Sequence, residues 1–204
     1  MPDDIKEILR KEFATMDKKD LMIIFPGMGY NSSRPILYYT RKLAQKYAYE
    51  IREVSFELPE KASAVKGNPD KMLEAFNIAL SQAKDQLKDI DYSKYERIVF
   101  AGKSIGTAIA AEYDRQENVN ARHIVFTPVA QTFKYLRKEC GIVIHGTSDP
   151  WCDTPLADEK CKELGVECIK IANANNSLET DSVQIDLGNL GSIMKIVEDF
   201  IKLK

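Results

Sequence analysis

Five residues, Gly102-Lys103-Ser104-Ile105-Gly106, form a G-x-S-x-G between two contrasting runs. Ile98-Val99-Phe100-Ala101 before it is short, apolar and β-branched. Ile105 to Tyr113 after it is rich in helix-forming alanine. A strand, a sharp turn and a helix in that order make a nucleophile elbow. Glycines flank the serine because side chains there would collide. The turn projects the Ser104 hydroxyl, and the helix beginning at Ile105 aims free N–H groups at the same point. Such a serine attacks acyl carbon atoms, and the N–H groups hold the oxyanion that forms.

The elements that position this serine are legible as apolar runs alternating with helical patterns. Leu21 to Phe25, Glu50 to Phe56, Ile98 to Ala101, His123 to Phe126, Gly141 to Ile144 and Val166 to Ile171 read as strands. Between and after them, Pro35 to Lys46, the segment from Asn68-Pro69, Ile105 to Arg115, the segment from Asp153-Thr154-Pro155 and the closing segment with Leu190 to Ile201 read as helices. Asn68 and Pro69 have the residue types of an N-cap and a first helical position. Met72, Leu73, Phe76, Ala79, Leu80, Ala83 and Leu87 fall on one face of the helix they open. Near-continuous apolar strands alternating with helices predict a three-layer α/β/α sandwich around a mostly parallel sheet of about six strands. The 204 residues suit one core, so residues 1–204 are expected to form a single domain, with 1–18 as a peripheral helix.

Ligands of such sheets bind at the carboxyl ends of the strands. Four segments fall there: Phe25-Pro26-Gly27-Met28-Gly29-Tyr30, the elbow, His145-Gly146-Thr147-Ser148-Asp149-Pro150-Trp151, and Asn173 to Glu179. Taken together, "FPGMGY", "GKSIGT", "HGTSDPW" and a last loop ending in "SLE" resemble the α/β hydrolases, from about Leu21 to Lys204. The resemblance is greatest to small bacterial members that lack a lid. It implies Ser104 as nucleophile, Asp149 as the acid of a triad, and an oxyanion hole from the N–H of Ile105 and an N–H in the Gly27–Met28 stretch. It also implies hydrolysis of small carboxylic esters or thioesters, with a small-molecule acyl substrate as the partner.

The sequence departs from that pattern at the base. Similar proteins place histidine in the last loop where this chain has Asn176, and an amide cannot take the serine proton at neutral pH. Asn176 can still hydrogen-bond Asp149 and Ser104. The chain has two histidines. His123, at the far end of its strand, is expected to be structural. His145 either substitutes as base or braces a loop. Three alternatives follow: a binding module on an inactive hydrolase scaffold, an active enzyme whose histidine was changed, or an acyltransferase with the same serine.

Other residues carry two readings. Lys103 can bind an anionic substrate group or be a surface charge at the turn. Tyr30 can line the pocket, donate to an oxyanion or simply pack, and Trp151 is a further pocket candidate. Cys152 is a reactive thiol or a half-buried one beside Trp151. Asp153 is a back-up acid or a helix N-cap. The short connection Thr127 to Thr132 leaves no room for a lid and predicts an open, shallow site.

A formal charge of −2, from 29 basic and 31 acidic residues, argues against nucleic acid. No apolar run is long enough to span a membrane. The charged N-terminus lacks the apolar core of a signal peptide, and the four cysteines fit no zinc pattern. The expectation is a cytoplasmic protein with reduced thiols and no metal or organic cofactor.

Overall fold

Leu21 to Phe25 is apolar at every position, and a segment of that kind satisfies its backbone by pairing on both edges and burying both faces. It is β1 (Lys19–Phe25), all five apolar residues fully buried, flanked by β2 (Glu50–Glu53) and β3 (Tyr95–Lys103). The computed structural model describes residues 18–202. Of the expected peripheral helix at 1–18, residues 1–17 lie outside the described residues. The sheet continues through β4 (Arg122–Phe126), β5 (Gly141–Gly146) and β6 (Glu167–Ile171) in the order β2-β1-β3-β4-β5-β6, every pair parallel.

Alternate strand residues point to opposite faces. Met22, Ile24, Val99, Ala101, Ile124, Phe126 and Ile144 pack against α1 (Pro35–Lys46) and α7 (Val183–Lys202). Leu21, Ile23, Phe25 and Phe100 pack on the other face against α3 (Pro69–Leu87) and α4 (Ile105–Glu117), and Val125 and Val143 pack there against α6 (Thr154–Leu164). Two short helices, α2 (Ala62–Val65) and α5 (Thr132–Tyr135), lie in the connections. This is the expected three-layer sandwich.

The differences lie at element ends. β3 begins at Tyr95, earlier than its apolar run, because Arg97 pairs with Asp20 directly across the β1–β3 register. β2 stops at Glu53, short of the expected Phe56. Val54 N–H still reaches Ile24 O at 3.0 Å, and beyond it the side-chain amides of Gln86 and Gln82 in α3 bond the backbone of Ser55 and Glu57 in place of a strand. Leu73 is 56% exposed, so it leaves the apolar face assigned to α3, whereas Phe76, Ala79, Leu80, Ala83 and Leu87 are buried. Asn68 caps α3 through its side chain, accepting from Lys71 N–H at 3.1 Å.

The register brings the carboxyl ends of the strands level. Phe25 lies beside Gly102, Lys103 beside Phe126, and Gly146 beside Ile171. The loops that follow these residues therefore share one edge.

Candidate active site

The turn at the end of β3 is strained at its serine. Ser104 has φ 53° and ψ −124°, a conformation costly for a residue with a side chain and held only where surrounding contacts enforce it. Those contacts are specific. Ser104 N–H donates to Phe126 O at 3.0 Å, and Ser104 O accepts from Thr107 N–H at 2.9 Å and from Thr107 Oγ1 at 2.6 Å. The flanking glycines are required sterically. A Cβ on Gly106 would lie 2.3 Å from both Phe25 O and Pro26 O, and one on Gly102 would lie 2.8 Å from Thr107 Cα.

Gly27 packs on the elbow itself: a Cβ there would lie 3.1 Å from Lys103 O and 3.3 Å from Ser104 Cβ. Its N–H, however, donates to Tyr30 O at 3.0 Å, and Tyr30 N–H returns to Gly27 O at 3.2 Å. That bridge spends the N–H of Gly27, and Ile105 heads α4 with an N–H that has no partner inside the helix. Met28, Ser104, Ile105, Trp151 and Asn176 line one small cavity of about 30 Å³, together with Ala62, Val65, Met72 and Val129. A cleft of about 630 Å³ adjoins it through Met28 and Ala62, between the glycine loop and the segment Val54 to Ser63.

The cavity beside Ser104 is small, and its lining adds residues that carry no chemical signal in the sequence. The connection after β4 is short, as read, but the stretch between β2 and α3 brings Ala62 and Val65 against the pocket. These residues, with Met72 and Val129, escaped sequence reasoning. None has reactive chemistry, and only the path of the chain brings them to Ser104.

Asp149 and Asn176 meet. Asp149 is buried after β5, its Oδ1 accepting from Trp151 N–H at 2.9 Å and its Oδ2 from Asn176 Nδ2 at 2.8 Å. Asn176 does not bond Ser104. Its Oδ1 accepts instead from Lys103 Nζ at 3.0 Å. A carboxylate only accepts and an ammonium only donates, so these two neighbours dictate which way the amide points.

Lys103 is therefore neither a surface charge nor an exposed ligand for anions: it is 1% exposed. Its Nζ lies 4.9 Å from the centroid of the Tyr30 ring. Burial brings its ammonium down from the ordinary lysine value to about 7, against the opposing charges of Asp149 and Glu179. Tyr30 is buried, which raises its phenol, and its hydroxyl oxygen accepts from Ile36 N–H at 3.2 Å, bracing the start of α1, while the residue also lines the larger cleft.

The histidines serve elsewhere. His123 is buried at the opposite edge against Asp114. His145 is buried with Nε2 2.9 Å from Thr154 Oγ1, bracing the start of α6, and burial lowers its basicity. Cys152 is buried, and burial together with the charges of Asp149 and Asp153 pushes its thiol up to about 12, so the reactive-thiolate reading fails. Asp153 occupies the N-cap position of α6, but its side chain makes no capping bond.

Among the described residues no group of three or more His, Cys, Asp or Glu side chains is placed to hold a metal ion, and no helix is long and apolar enough to cross a membrane.

A parallel sheet with a strained serine after its central strand, an aspartate after β5 and a polar loop after β6 is the α/β-hydrolase fold. Solved structures with that fold superpose over most of the chain. An esterase of Pyrococcus furiosus matches with a TM-score of 0.60 at 14% identity, over 91% of this chain and 83% of that one. An α/β serine hydrolase homologue from Coxiella burnetii matches at 0.57 and 14% identity, over 89% and 84%. An α/β serine hydrolase without a lid from Xanthomonas campestris matches at 0.52 and 10%, over 89% and 82%. At these identities the likeness is one of fold. No protein-family model matches the chain, and no curated protein matches it in sequence.

Proposed function

We propose that the chain is a cytoplasmic serine hydrolase acting on small carboxylic esters or thioesters, with Ser104 as nucleophile and its turnover held down by Asn176 in the place of the base. The observation that carries this is the backbone of Ser104, a costly conformation maintained at the mouth of a pocket that also holds Met28 and Ile105. Strain of this kind persists where it serves a reacting group. Ser104 would attack the acyl carbon, the N–H groups of Ile105 and Met28 would hold the oxyanion, and water would release the acyl group from the serine ester. A small cavity at Ser104 that adjoins a cleft of about 630 Å³ supports a small substrate over a long-chain one.

The missing step is proton removal from Ser104. Asn176 can orient, through Asp149, but it cannot accept that proton. Deleting the base of a serine protease costs about 10⁶ in turnover, while oxyanion hole and binding retain about 10³–10⁴ over water. The chain should therefore show trace hydrolysis of p-nitrophenyl acetate, abolished by Ser104→Ala. Asn176→His should raise it by about 10²-fold or more, since an imidazole there can donate to Asp149 and accept from Ser104. Enzyme-like turnover that survives Ser104→Ala would refute the assignment. No gain from Asn176→His in a folded protein would favour a binding module, the reading supported by the full engagement of the Asn176 amide by Lys103 and Asp149.

A further inference from the structure

Lys103 directly precedes Ser104, yet it points away from the pocket that Ser104 lines. Strand alternation groups it with Val99 and Ala101 on the face covered by α1 and α7. An ammonium buried there loses its hydration, a loss that is large unless a charged partner replaces it. The partner here is neutral: Nζ donates to Asn176 Oδ1 at 3.0 Å. The balancing carboxylate, Asp149, is one residue further along, bonded to the other end of the same amide at 2.8 Å. A cation and an anion thus hold one asparagine between them, and that asparagine forms part of the Ser104 pocket.

We propose that Lys103 is a positioning residue: charged, it clamps the Asn176 amide against Asp149; neutral, it still donates but holds the amide more weakly, so that one buried proton tunes the geometry behind the serine. The groups facing Nζ come from three loops. Asp149 after β5 and Glu179 after β6 favour the charged form. Tyr30 of the glycine loop offers its ring face, over whose other surroundings Arg34 lies 6.0 Å from the centroid. Burial opposes them and is the strongest influence, which brings the lysine into the range where it titrates under ordinary conditions. The amide has no second way to satisfy both neighbours. With Lys103 neutral, the charge that strengthens the bond to Oδ1 is gone and the hold on that end of the amide weakens, while Nδ2 keeps its bond to Asp149.

The clamp itself does not need Ser104 to be a nucleophile; only its effect on chemistry rests on the hydrolase reading. The test follows the Asn176 side-chain amide by ¹⁵N NMR in the full chain, from about pH 5.5 to about pH 9, with Asn176→Ala identifying the resonance. The resonance should move with one midpoint in the neutral range, and Lys103→Met should remove the movement. In parallel, a fluorophosphonate probe should label Ser104 about tenfold more slowly in Lys103→Met, because a nearby positive charge favours the ionised serine oxygen. An Asn176 amide indifferent to pH, or one that titrates unchanged in Lys103→Met, overturns the proposal. Should Lys103→Met fail to fold, ¹³C-labelled lysine in the unmodified chain reports the Lys103 midpoint directly. That midpoint should fall in Asn176→Ala, where the buried ammonium loses its acceptor, and an unmoved midpoint also overturns the proposal. Titration as expected in a chain whose Ser104 never labels would leave the clamp standing and remove the hydrolase reading instead.

Discussion

The sheet buries charge at both of its edges and handles it in two ways. At the amino edge of β4, Asp114 accepts from His123 Nε2 at 3.0 Å, from Arg137 Nε at 2.8 Å and from Ala121 N–H at 3.0 Å, and Arg137 also donates to Ala121 O at 2.6 Å. Burial pulls the Asp114 carboxyl upward, but these partners outweigh it and hold the group below the usual carboxylate range. At the carboxyl edge, Lys103 and Asp149 are kept apart by the Asn176 amide. There burial wins, and Lys103 falls to about 7. The contrast lies in directness. A buried charge met by several donors stays charged and structural, whereas one met through a neutral amide becomes titratable.

Breaking the amino-edge cluster should have the largest effect. Asp114→Ala leaves His123 and Arg137 without their buried acceptor and should cost about 3–5 kcal/mol in urea unfolding at neutral pH. Its pH dependence has a definite sign. A carboxyl held low when folded stabilises above its unfolded value, and the contribution is lost as pH falls through the folded one. Acid should therefore narrow the gap between Asp114→Ala and the unmodified chain.

At the carboxyl edge stability also rises with pH, but there it is the charged form of the buried group that weakens the fold. The unfolded lysine holds its proton up to its ordinary value of 10.5, while the folded one releases it near 7, so stability rises with pH between these limits. Lys103→Met should stabilise the fold by about 2–4 kcal/mol at pH values below about 7, with the gain vanishing by about pH 10.5. A stabilisation independent of pH would mean that Lys103 does not titrate there. The smallest effect is expected at His145, the second buried histidine, whose Nδ1 has no partner and whose Nε2 meets only Thr154. Thr154→Val should cost about 1 kcal/mol in the same unfolding measurement, the value of a single neutral hydrogen bond. A much larger loss would place His145 among the structural groups alongside His123.

The sharp turn at Ser104 and the alternating strands and helices were legible before the structure, because each is a local pattern. Gly102 reflects a contact within the turn, against Thr107, whereas Gly106 is required by the distant backbone of Phe25 and Pro26 and was legible only through the turn pattern. Apolar runs such as Leu21 to Phe25 report burial directly, since a strand covered on both faces has no polar positions to alternate. Strand ends were less legible: β3 extends through an ion pair between Arg97 and Asp20, 77 residues apart, and β2 hands its edge to glutamines of α3.

Lys103 marks the boundary between the two kinds of knowledge. Its sequence neighbours place it at a turn, where charged residues are usually solvated. Only the packed fold brings Tyr30 beneath it and Asn176, 73 residues away, against its ammonium. The same holds for Ala62 and Val65, which reach the pocket from a connection with no chemical signal of its own. Periodicity and turn chemistry, read over a few residues, were enough to place the serine at the carboxyl edge of a parallel sheet. Desolvation, charge balance and pocket shape depend on which distant segments meet there, and those meetings decided that Lys103 is buried, that Asn176 bonds it rather than Ser104, and that Ala62 and Val65 line the site.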